Sequence, residues 1–327
     1  MMKAVIVEKP GDESALEIGE VPEPSIKPDE ILIRVRAAGV NRADLLQRLG
    51  FYPPPPGASE IIGMECAGEV IAVGASVKGW KIGDRAMALL PGGGYAEKAA
   101  AHYGSAMKVP AALSFEEAAG IPEVFLTAFL NLFMLAGIER GETALIHGGG
   151  SGVGTASILL LKESGVRVIV TAGSDEKCEQ CRKLGADVAI NYKQGPFAEA
   201  VKTATEGRGV DVILDSIGGA YLAGNVESLA QGGRLVLIGL MNGTRGELDL
   251  AAVLRRHLKI FGSTLRNRTA TEKAQIVAAF LDQFGAALEA GRVRPLIYKV
   301  LPAADASTAH RMMQASEHFG KIILKFD

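Results

Sequence analysis

The segment 142–177 constrains the fold more than any other part of the chain. It reads as a short apolar strand at 143–146, a glycine-rich turn from His147 to Gly154, a helix, and a second strand at 167–172. Glycines in such a turn let backbone N–H groups approach a pyrophosphate at the N-terminus of the following helix, where the helix dipole favours negative charge. The surrounding strand–helix–strand pattern is the context that dinucleotide binding requires. The alternative is a glycine-rich turn in an α/β protein of another kind.

The residues after the second strand indicate which dinucleotide is bound. Ser174 stands 20 residues after Gly154, where an NAD site usually carries an acidic residue on the ribose hydroxyls. A carboxylate there would repel a 2′-phosphate, whereas Gly173, Ser174 and Lys177 offer a backbone N–H, a hydroxyl and an ammonium. The sequence therefore predicts NADPH rather than NADH. Ser174 also fits an ordinary helix N-cap, and both interpretations can hold together.

Length and charge narrow the class of protein. A chain of 327 residues is long enough for two domains, and its net charge of −2 gives no basic footprint for a nucleic-acid partner. The N-terminus, MMKAVIVEKP, reads as a charged strand rather than a signal peptide. The longest apolar run, 125–135, is too short to span a bilayer. We therefore expect a soluble, cytoplasmic protein that uses no membrane.

Cysteine and histidine usage gives little sign of a metal site. Three cysteines cannot form a disulfide framework, and Cys178 and Cys181 have CxxC spacing within a helical stretch. No second CxxC or paired histidine accompanies them, so we expect two cysteines on a helix face, with a redox or metal role as the alternative. The five histidines are dispersed and lack metal-ligand spacing.

The order of strand and helix patterns predicts two domains. The first third is mostly β, and a helical region begins at Ser114 and is interrupted by Pro122. From residue 142 strands and helices alternate, which predicts a doubly wound six-stranded parallel (Rossmann) sheet. Its strands are expected at 143–146, 167–172, 187–191, 211–214, 234–239 and 259–262. We expect the β–α–β tail to rejoin the β domain, so that 1–122 plus 266–327 form a catalytic domain and 123–265 a nucleotide-binding domain.

Longer motifs extend over nearly the whole chain. They are AAGVNRADLLQRLGFYPPPPGAS (37–59), GMECAGEVIAVG (63–74), GDRAMALLPGGGYAE (83–97), IPEVFLTAF (121–129), IHGGGSGVGTA (146–156), TAGSDEK (171–177) and KLGADVAINY (183–192). In these motifs the chain resembles the medium-chain dehydrogenase/reductase superfamily, and within it the zinc-free NADPH:quinone oxidoreductases, including the stress-inducible quinone reductases. The resemblance implies a Rossmann domain inserted in a GroES-like β domain, NADPH-dependent reduction of quinones, and a homodimer. The edge strand near 259–262 is the expected pairing surface.

The residues at the positions of the catalytic metal argue against zinc. Zinc-dependent relatives place a cysteine, a His-Glu pair and a further cysteine there. This chain has Asn41 at the first position and Met64–Glu65 in place of His-Glu, and 84–97 contains no cysteine. A neutral amide and a thioether cannot supply the thiolate and imidazole that hold Zn²⁺. We therefore predict hydride transfer without zinc.

The resemblance also implies roles for individual residues. Asn41 would contact the nicotinamide or the substrate, and Tyr52 would line the acceptor pocket; the alternatives are a turn residue and a surface aromatic stacked on prolines. Thr127 would lie near the nicotinamide ribose unless it bonds back within its helix. The remaining cofactor contacts would be Ser151, Gly152, Val153, Gly154, Gly173, Ser174, Lys177, Tyr192, Ile217, Gly239, Leu240, Met241, Leu265, Arg266, His318 and Lys321. His318 departs from the asparagine that close relatives often carry.

Two other functions fit the same residues. The first is NADPH-dependent reduction of an activated alkene, such as a 2-enoyl thioester or an alkenal, because the hydride chemistry is nearly the same. The second is a mainly non-catalytic NADPH-binding role, as in crystallin-type relatives. Turnover of a thioester would favour the first, and tight NADPH binding without turnover would favour the second.

Overall fold

The computed structural model describes every residue from Met1 to Asp327 and divides into two compact units, Met1–Leu126 with Leu265–Asp327, and Thr127–Thr264. The strands are β1 (Met2–Ile6), β2 (Glu17–Val21), β3 (Glu30–Gly39), β4 (Glu65–Val73), β5 (Arg85–Leu89), β6 (Lys98–His102), β7 (Ala106–Lys108), β8 (Thr143–His147), β9 (Arg167–Ala172), β10 (Val188–Asn191), β11 (Val210–Asp215), β12 (Leu229–Leu237), β13 (Lys259–Gly262), β14 (Ile297–Pro302) and β15 (Lys321–Lys325). The α-helices are α1 (Arg42–Arg48), α2 (Phe115–Ala118), α3 (Pro122–Phe129), α4 (Gly152–Glu163), α5 (Asp175–Leu184), α6 (Phe197–Ala204), α7 (Leu222–Ser228), α8 (Leu250–Arg256), α9 (Ala270–Glu289) and α10 (Ala306–Gln314).

The first unit is built on a seven-stranded mixed sheet. Its strand order is β14-β15-β3-β4-β5-β7, and β6 also pairs with β3. Along β3, Ile31, Ile33 and Val35 are buried at alternate positions, as the period-two geometry of a strand requires. The C-terminal β15 pairs antiparallel with β3. The C-terminal tail therefore contributes strands to the same sheet as the N-terminal residues.

The second unit contains a six-stranded parallel sheet in the order β10-β9-β8-β11-β12-β13. All five residues of β8 are buried, because helices cover both faces of such a sheet. The predicted Rossmann fold is confirmed. The prediction for one strand is wrong at both ends: β12 begins at Leu229 and stops before Gly239. The predicted strand begins after the two glycines at 232–233, but the structure accommodates these glycines within β12, whose register against β11 shifts.

The helical stretch from Phe115 to Leu135 is long and apolar enough to cross a membrane by length and composition alone. Within the protein, 72% of its most apolar window is buried, as in the core helix of a folded domain. The stretch comprises α2, α3 and a π-helix at Leu130–Leu135. Pro122 begins α3, the helix position at which its missing N–H costs least.

Candidate active site

The glycine-rich turn joins β8 to the N-terminus of α4. Ser151 is the N-cap of α4, and its hydroxyl accepts a hydrogen bond from the Gly154 N–H at 3.0 Å. A Cβ on Gly154 would overlap the Gly148 carbonyl oxygen, and a Cβ on Gly149 would lie 2.8 Å from the Val170 Cβ. Only glycine fits these two positions. The turn is therefore packed so that the N–H groups of Gly152 and Val153, at the start of the helix, can face an anion.

His147 is a structural link at the start of this turn. Its Nδ1 lies 3.0 Å from the Thr171 hydroxyl, and its Nε2 lies 2.7 Å from Asn225 Oδ1. Because an amide oxygen only accepts, Nε2 carries the proton and Nδ1 accepts from Thr171. Burial lowers the pKa of His147 to about 4. The imidazole is therefore neutral and has no ring nitrogen available for a metal.

Asp215 orders the turn after β11, and the sequence reasoning missed it. One carboxylate oxygen accepts hydrogen bonds from the N–H groups of Ile217 at 2.6 Å and Gly218 at 3.3 Å, and the other accepts from the Asn225 amide at 2.8 Å. An aspartate directly after a buried strand was the available signal. This network fixes the position of Ile217, one of the predicted cofactor contacts.

The segment after β12 lies against the same turn. The Asn242 N–H donates to the Ile217 carbonyl at 2.7 Å, and the Met241 N–H donates to the Ser216 carbonyl at 3.1 Å. The structure thus brings Ile217 together with the predicted contacts Gly239, Leu240 and Met241. The side chains of Leu240 and Met241 are more than half exposed, at 53% and 54%. They form an apolar surface that is open to a ligand.

The predicted 2′-phosphate contacts come together at the carboxyl end of β9. Ser174 is the N-cap of α5, and its hydroxyl accepts from the Lys177 N–H at 3.2 Å. A Cβ on Gly173 would lie 2.7 Å from the Tyr192 hydroxyl, so this phenol lies directly over Gly173. Partial burial lowers the pKa of Lys177. Both interpretations of Ser174, as N-cap and as part of a polar cluster, are compatible with this geometry.

Asp175 does not compete for this site. Its carboxylate accepts hydrogen bonds from the amides of Asn191 at 2.8 Å and Gln194 at 2.9 Å. These bonds hold the negative charge at the end of β10. Further along α5, Cys178 and Cys181 are buried free thiols on one helix, as the sequence predicts, and burial raises the pKa of Cys181 to about 12.

Asn41 belongs to a buried polar cluster in the first unit, here called the Asn41–Glu65–Lys321 cluster. The Asn41 amide nitrogen donates to Glu65 at 2.9 Å, and its oxygen accepts from the Lys321 ammonium at 2.7 Å. Lys321 also lies 2.7 Å from the same Glu65 oxygen and donates to the Val40 carbonyl at 2.8 Å. The three ammonium protons thus have three partners inside the unit. Lys321 therefore positions Asn41 and has no proton left for a cofactor phosphate.

Arg266 holds the backbone and ring of Tyr52. Its guanidinium donates to the carbonyls of Pro91 at 2.8 Å and Tyr52 at 3.1 Å, and to Gln47 Oε1 at 2.6 Å. The guanidinium carbon lies 5.1 Å from the centroid of the Tyr52 ring, within cation–π range. Burial, followed by the charge of Glu123, raises the pKa of Tyr52, against a lowering effect of Arg266. Tyr52 is thus a neutral phenol that can donate a hydrogen bond.

The remaining predicted contacts are distributed over both units. Leu265 and His318 are buried in the first unit. Thr127 lies in α3, where its carbonyl accepts from the Asn131 amide at 2.7 Å. The predicted cofactor contacts of Leu265, His318 and Thr127 therefore stay predictions.

A second buried network, formed by Asp44, Tyr95 and His310, holds the backbone of Asn41. It was not predicted from the sequence. Asp44 accepts from the Asn41 N–H at 2.7 Å and from the Tyr95 hydroxyl at 3.2 Å. The Tyr95 hydroxyl also lies 3.3 Å from His310, and burial with the nearby Arg48 charge lowers the pKa of His310 to about 3. Burial raises the pKa of Asp44 to about 7. Asn41 is therefore fixed through both its side chain and its backbone.

The chain is similar to known proteins in both sequence and structure. Residues 27–111 match the alcohol dehydrogenase GroES-like domain, and residues 152–282 match the family described as zinc-binding dehydrogenase. Squalestatin tetraketide synthase clz2 of Cochliobolus lunatus is 33% identical over 97% of this chain, and a mycocerosic acid synthase-like polyketide synthase of Mycobacterium tuberculosis is 32% identical over 97%. This chain spans only 13% and 15% of the length of these relatives.

Solved structures match over the full length of the chain. Mycobacterial Rv1454c complexed with NADPH has a TM-score of 0.88 and 30% identity over 100% of both chains. The quinone oxidoreductase of Pseudomonas syringae pv. Tomato DC3000 has a TM-score of 0.89 and 27% identity, again over 100% of both chains. CurK enoyl reductase has a TM-score of 0.86 and 28% identity over 100% of this chain and 99% of its own. The chain therefore belongs to the medium-chain dehydrogenase/reductase superfamily.

Proposed function

We propose that the protein reduces the conjugated C=C bond of an α,β-unsaturated carbonyl compound, such as a 2-enoyl thioester or an alkenal, with NADPH as the hydride donor. The observation that carries the proposal is the neutral Tyr52 phenol held by Arg266. Similarity to polyketide synthases and to CurK enoyl reductase supports the same acceptor class. Reduction of such an acceptor needs a hydrogen-bond donor at the carbonyl oxygen, where negative charge develops.

The residues of the second unit fit NADPH. The N-terminus of α4 offers backbone N–H groups to a pyrophosphate, and a Cβ at Gly154 would overlap the backbone of the turn that holds them in place. At the end of β9, Ser174, Lys177 and Tyr192 offer polar groups to the 2′-phosphate, while the Asp175 carboxylate is held elsewhere. When bound, NADPH supplies the hydride; Tyr52 would donate to the acceptor oxygen and Asn41 would orient the reacting groups.

We also propose that the reaction proceeds without zinc. Glu65 follows the buried Met64, and its carboxylate is occupied by Asn41, Lys321 and the Glu123 N–H at 2.8 Å. A lysine ammonium at this carboxylate would repel a divalent cation. Measurement of the zinc content of the purified protein, and of its activity after treatment with a chelator, tests this part of the proposal.

A Ser174→Asp variant tests the phosphate site. Aspartate keeps the N-cap of α5 but places a carboxylate where the 2′-phosphate would lie. We expect its affinity for NADPH to fall by about 10- to 100-fold, a loss of about 1.4–2.7 kcal/mol, with a much smaller change for NADH. Fluorescence titration with each nucleotide measures both constants. Equal losses for the two nucleotides would contradict a phosphate site at Ser174.

Quinone reduction is the second candidate function. The quinone oxidoreductase of Pseudomonas syringae shares the whole fold with a TM-score of 0.89, and the motifs of the N-terminal domain resemble zinc-free quinone reductases. A quinone accepts hydride in the same geometry, and its product anion is stable without rapid protonation. The same Tyr52 and Asn41 would serve both reactions.

The experiment that separates these functions follows NADPH oxidation by absorbance with crotonyl-CoA, crotonaldehyde, 1,2-naphthoquinone and benzoquinone. Faster turnover of the alkenes supports the first proposal, and faster turnover of the quinones supports the second. Tight NADPH binding with no turnover would contradict both and favour a non-catalytic binding role.

We propose a cytoplasmic homodimer that pairs through β13. This strand lies at the edge of the six-stranded sheet, so its outer N–H and C=O groups have no strand beside them. A sedimentation experiment gives the oligomeric state; a monomer at all concentrations would contradict the proposal.

A further inference from the structure

Glu123 has a buried carboxyl oxygen without a hydrogen-bond partner. The residue lies in the first turn of α3, and its backbone N–H donates to Glu65 Oε2 at 2.8 Å. The Glu123 Oε2 atom is buried and accepts no hydrogen bond. A buried carboxylate normally has several donors, so an oxygen with none points to a carboxyl that is not ionised.

The charges around Glu123 explain why it lacks an ion-pair partner. Three carboxyls, those of Asp44, Glu65 and Glu123, act on one another in this part of the unit. Lys321 is committed to Glu65, Asn41 and Val40, so its ammonium has no proton left for Glu123. Lys321 therefore forms no ion pair with Glu123.

Two further cations near Glu123 also have hydrogen-bond acceptors other than its carboxyl. The Lys273 ammonium donates to the Arg266 carbonyl at 2.7 Å. The Arg266 guanidinium donates to Pro91, Tyr52 and Gln47. Burial, then Glu65 and Asp44, raise the pKa of Glu123, while Lys321 and Lys273 lower it; the net result is a pKa of about 8. The carboxyl therefore holds a proton at neutral pH.

Glu123 also lies within electrostatic reach of the proposed acceptor site. In its ionised form, Glu123 raises the pKa of Tyr52 and that of Arg266. Tyr52 is a weak acid with a raised pKa, which suits it to donate a hydrogen bond rather than to lose its proton. A carboxyl that titrates near the working pH is the better proton donor.

We propose that Glu123 is the general acid that completes the reduction. This inference rests on the proposed alkene reduction. Hydride addition at the β-carbon brings two electrons and leaves an enolate stabilised at its oxygen by Tyr52. The Glu123 O–H bond then breaks, a C–H bond forms at the α-carbon, and the resulting carboxylate takes a proton from water.

The test compares Glu123→Gln with a matched control, Glu116→Gln. Glu116 is a glutamate of α2 whose nearest cation, Lys325, lies at 3.7 Å. With crotonyl-CoA we expect Glu123→Gln to lower kcat by about 100-fold and to abolish the decline of kcat above about pH 8. In D₂O the wild type should deuterate one face of the α-carbon, and the variant should deuterate both. Glu116→Gln should match the wild type in each respect.

Two measurements do not depend on turnover. Asp44, whose pKa is about 7, contributes a protonated-carboxyl band to the infrared spectra of both proteins at pH 7. The spectrum of the wild type minus that of Glu123→Gln should therefore contain a further protonated-carboxyl band that disappears above pH 9. Because the folded pKa of Glu123 is raised above its unfolded value of about 4.5, its stabilising contribution is complete below pH 4.5 and is lost as pH rises through 8. Wild-type stability should thus fall between about pH 4.5 and 8, and the variant should lose less over that range.

The outcomes separate the two proposals. If no alkene is reduced but the infrared band is present, the proposed function fails while Glu123 still keeps its proton. If alkenes are reduced and Glu123→Gln equals Glu116→Gln in kcat and deuteration, the general-acid assignment is overturned. If Glu123→Gln does not fold, the infrared titration of the wild type decides, and the absence of a protonated-carboxyl band that titrates near pH 8 overturns the assignment on its own.

Discussion

Replacement of Lys321 by methionine is expected to lower the free energy of unfolding of the first unit by about 3–5 kcal/mol, because the variant leaves a buried carboxylate without its cation. Glu65 is 0% exposed and Lys321 is 2% exposed, so water cannot take over the lost interaction. The Asn41 amide oxygen would also lose its donor. Urea unfolding followed by the fluorescence of Trp80 measures the effect, since Trp80 is the only tryptophan and packs against the core of this unit.

Lys325→Met is the matched control for this prediction. Lys325 lies on the same strand, but it is exposed and its nearest acid, Glu116, is 3.7 Å away. A surface pair of this kind contributes little, so we expect a change within about 0.5 kcal/mol. A double variant, Lys321→Met with Glu65→Gln, should recover part of the loss because it removes both charges. Equal losses in the two single variants would contradict the role assigned to the buried ammonium.

Replacement of Gly154 by alanine is expected to weaken NADPH binding by about 100-fold or more, which corresponds to about 2.7 kcal/mol. The added Cβ would overlap the Gly148 carbonyl oxygen, a backbone atom that cannot move away without opening the turn. The N–H groups at the start of α4 would then lose their common direction. Overpacking of this kind also costs about 1–3 kcal/mol of stability.

Nucleotide fluorescence titration and thermal unfolding measure the two effects of Gly154→Ala separately. Gly285→Ala is the control, because its Cβ would meet only Leu281 side-chain atoms at 3.9 Å or more, within a helix that alanine favours. An unchanged dissociation constant for NADPH in a folded Gly154→Ala protein would remove the glycine turn from the cofactor site.

The fold could be predicted because its signals are local. The alternation of strands and helices after residue 142 and the glycine turn at 147–154 are read within short windows, and the six-stranded sheet follows from them. The start of β12 could not be read in this way, since a bulge allowed two glycines inside a strand. Tertiary pairing there overrode the local turn preference.

The predicted cofactor contacts of the second unit also rest on local signals. Gly154 ends the glycine-rich turn, Ser174 and Lys177 follow β9 closely, and Tyr192 follows β10. The polar clusters of the first unit were only partly visible. Asn41 and Lys321 are separated by 280 positions, and the importance of Glu65 and Glu123 comes from burial that no window of sequence contains. The roles of Glu65 and Glu123 depend on the distant residues that the fold brings next to them.

The position of Lys321 has a consequence for synthesis of the protein. The ribosome releases Glu65 early, but the lysine that neutralises it follows 256 residues later, after the whole of the second unit. The second unit is continuous in sequence and can fold as soon as it emerges. The first unit cannot complete its fold until β15 has been synthesised, because Glu65 has no buried ammonium partner before Lys321 is present. During synthesis, the second unit, in the middle of the chain, can therefore complete its fold before the first unit, which contains the N-terminal residues.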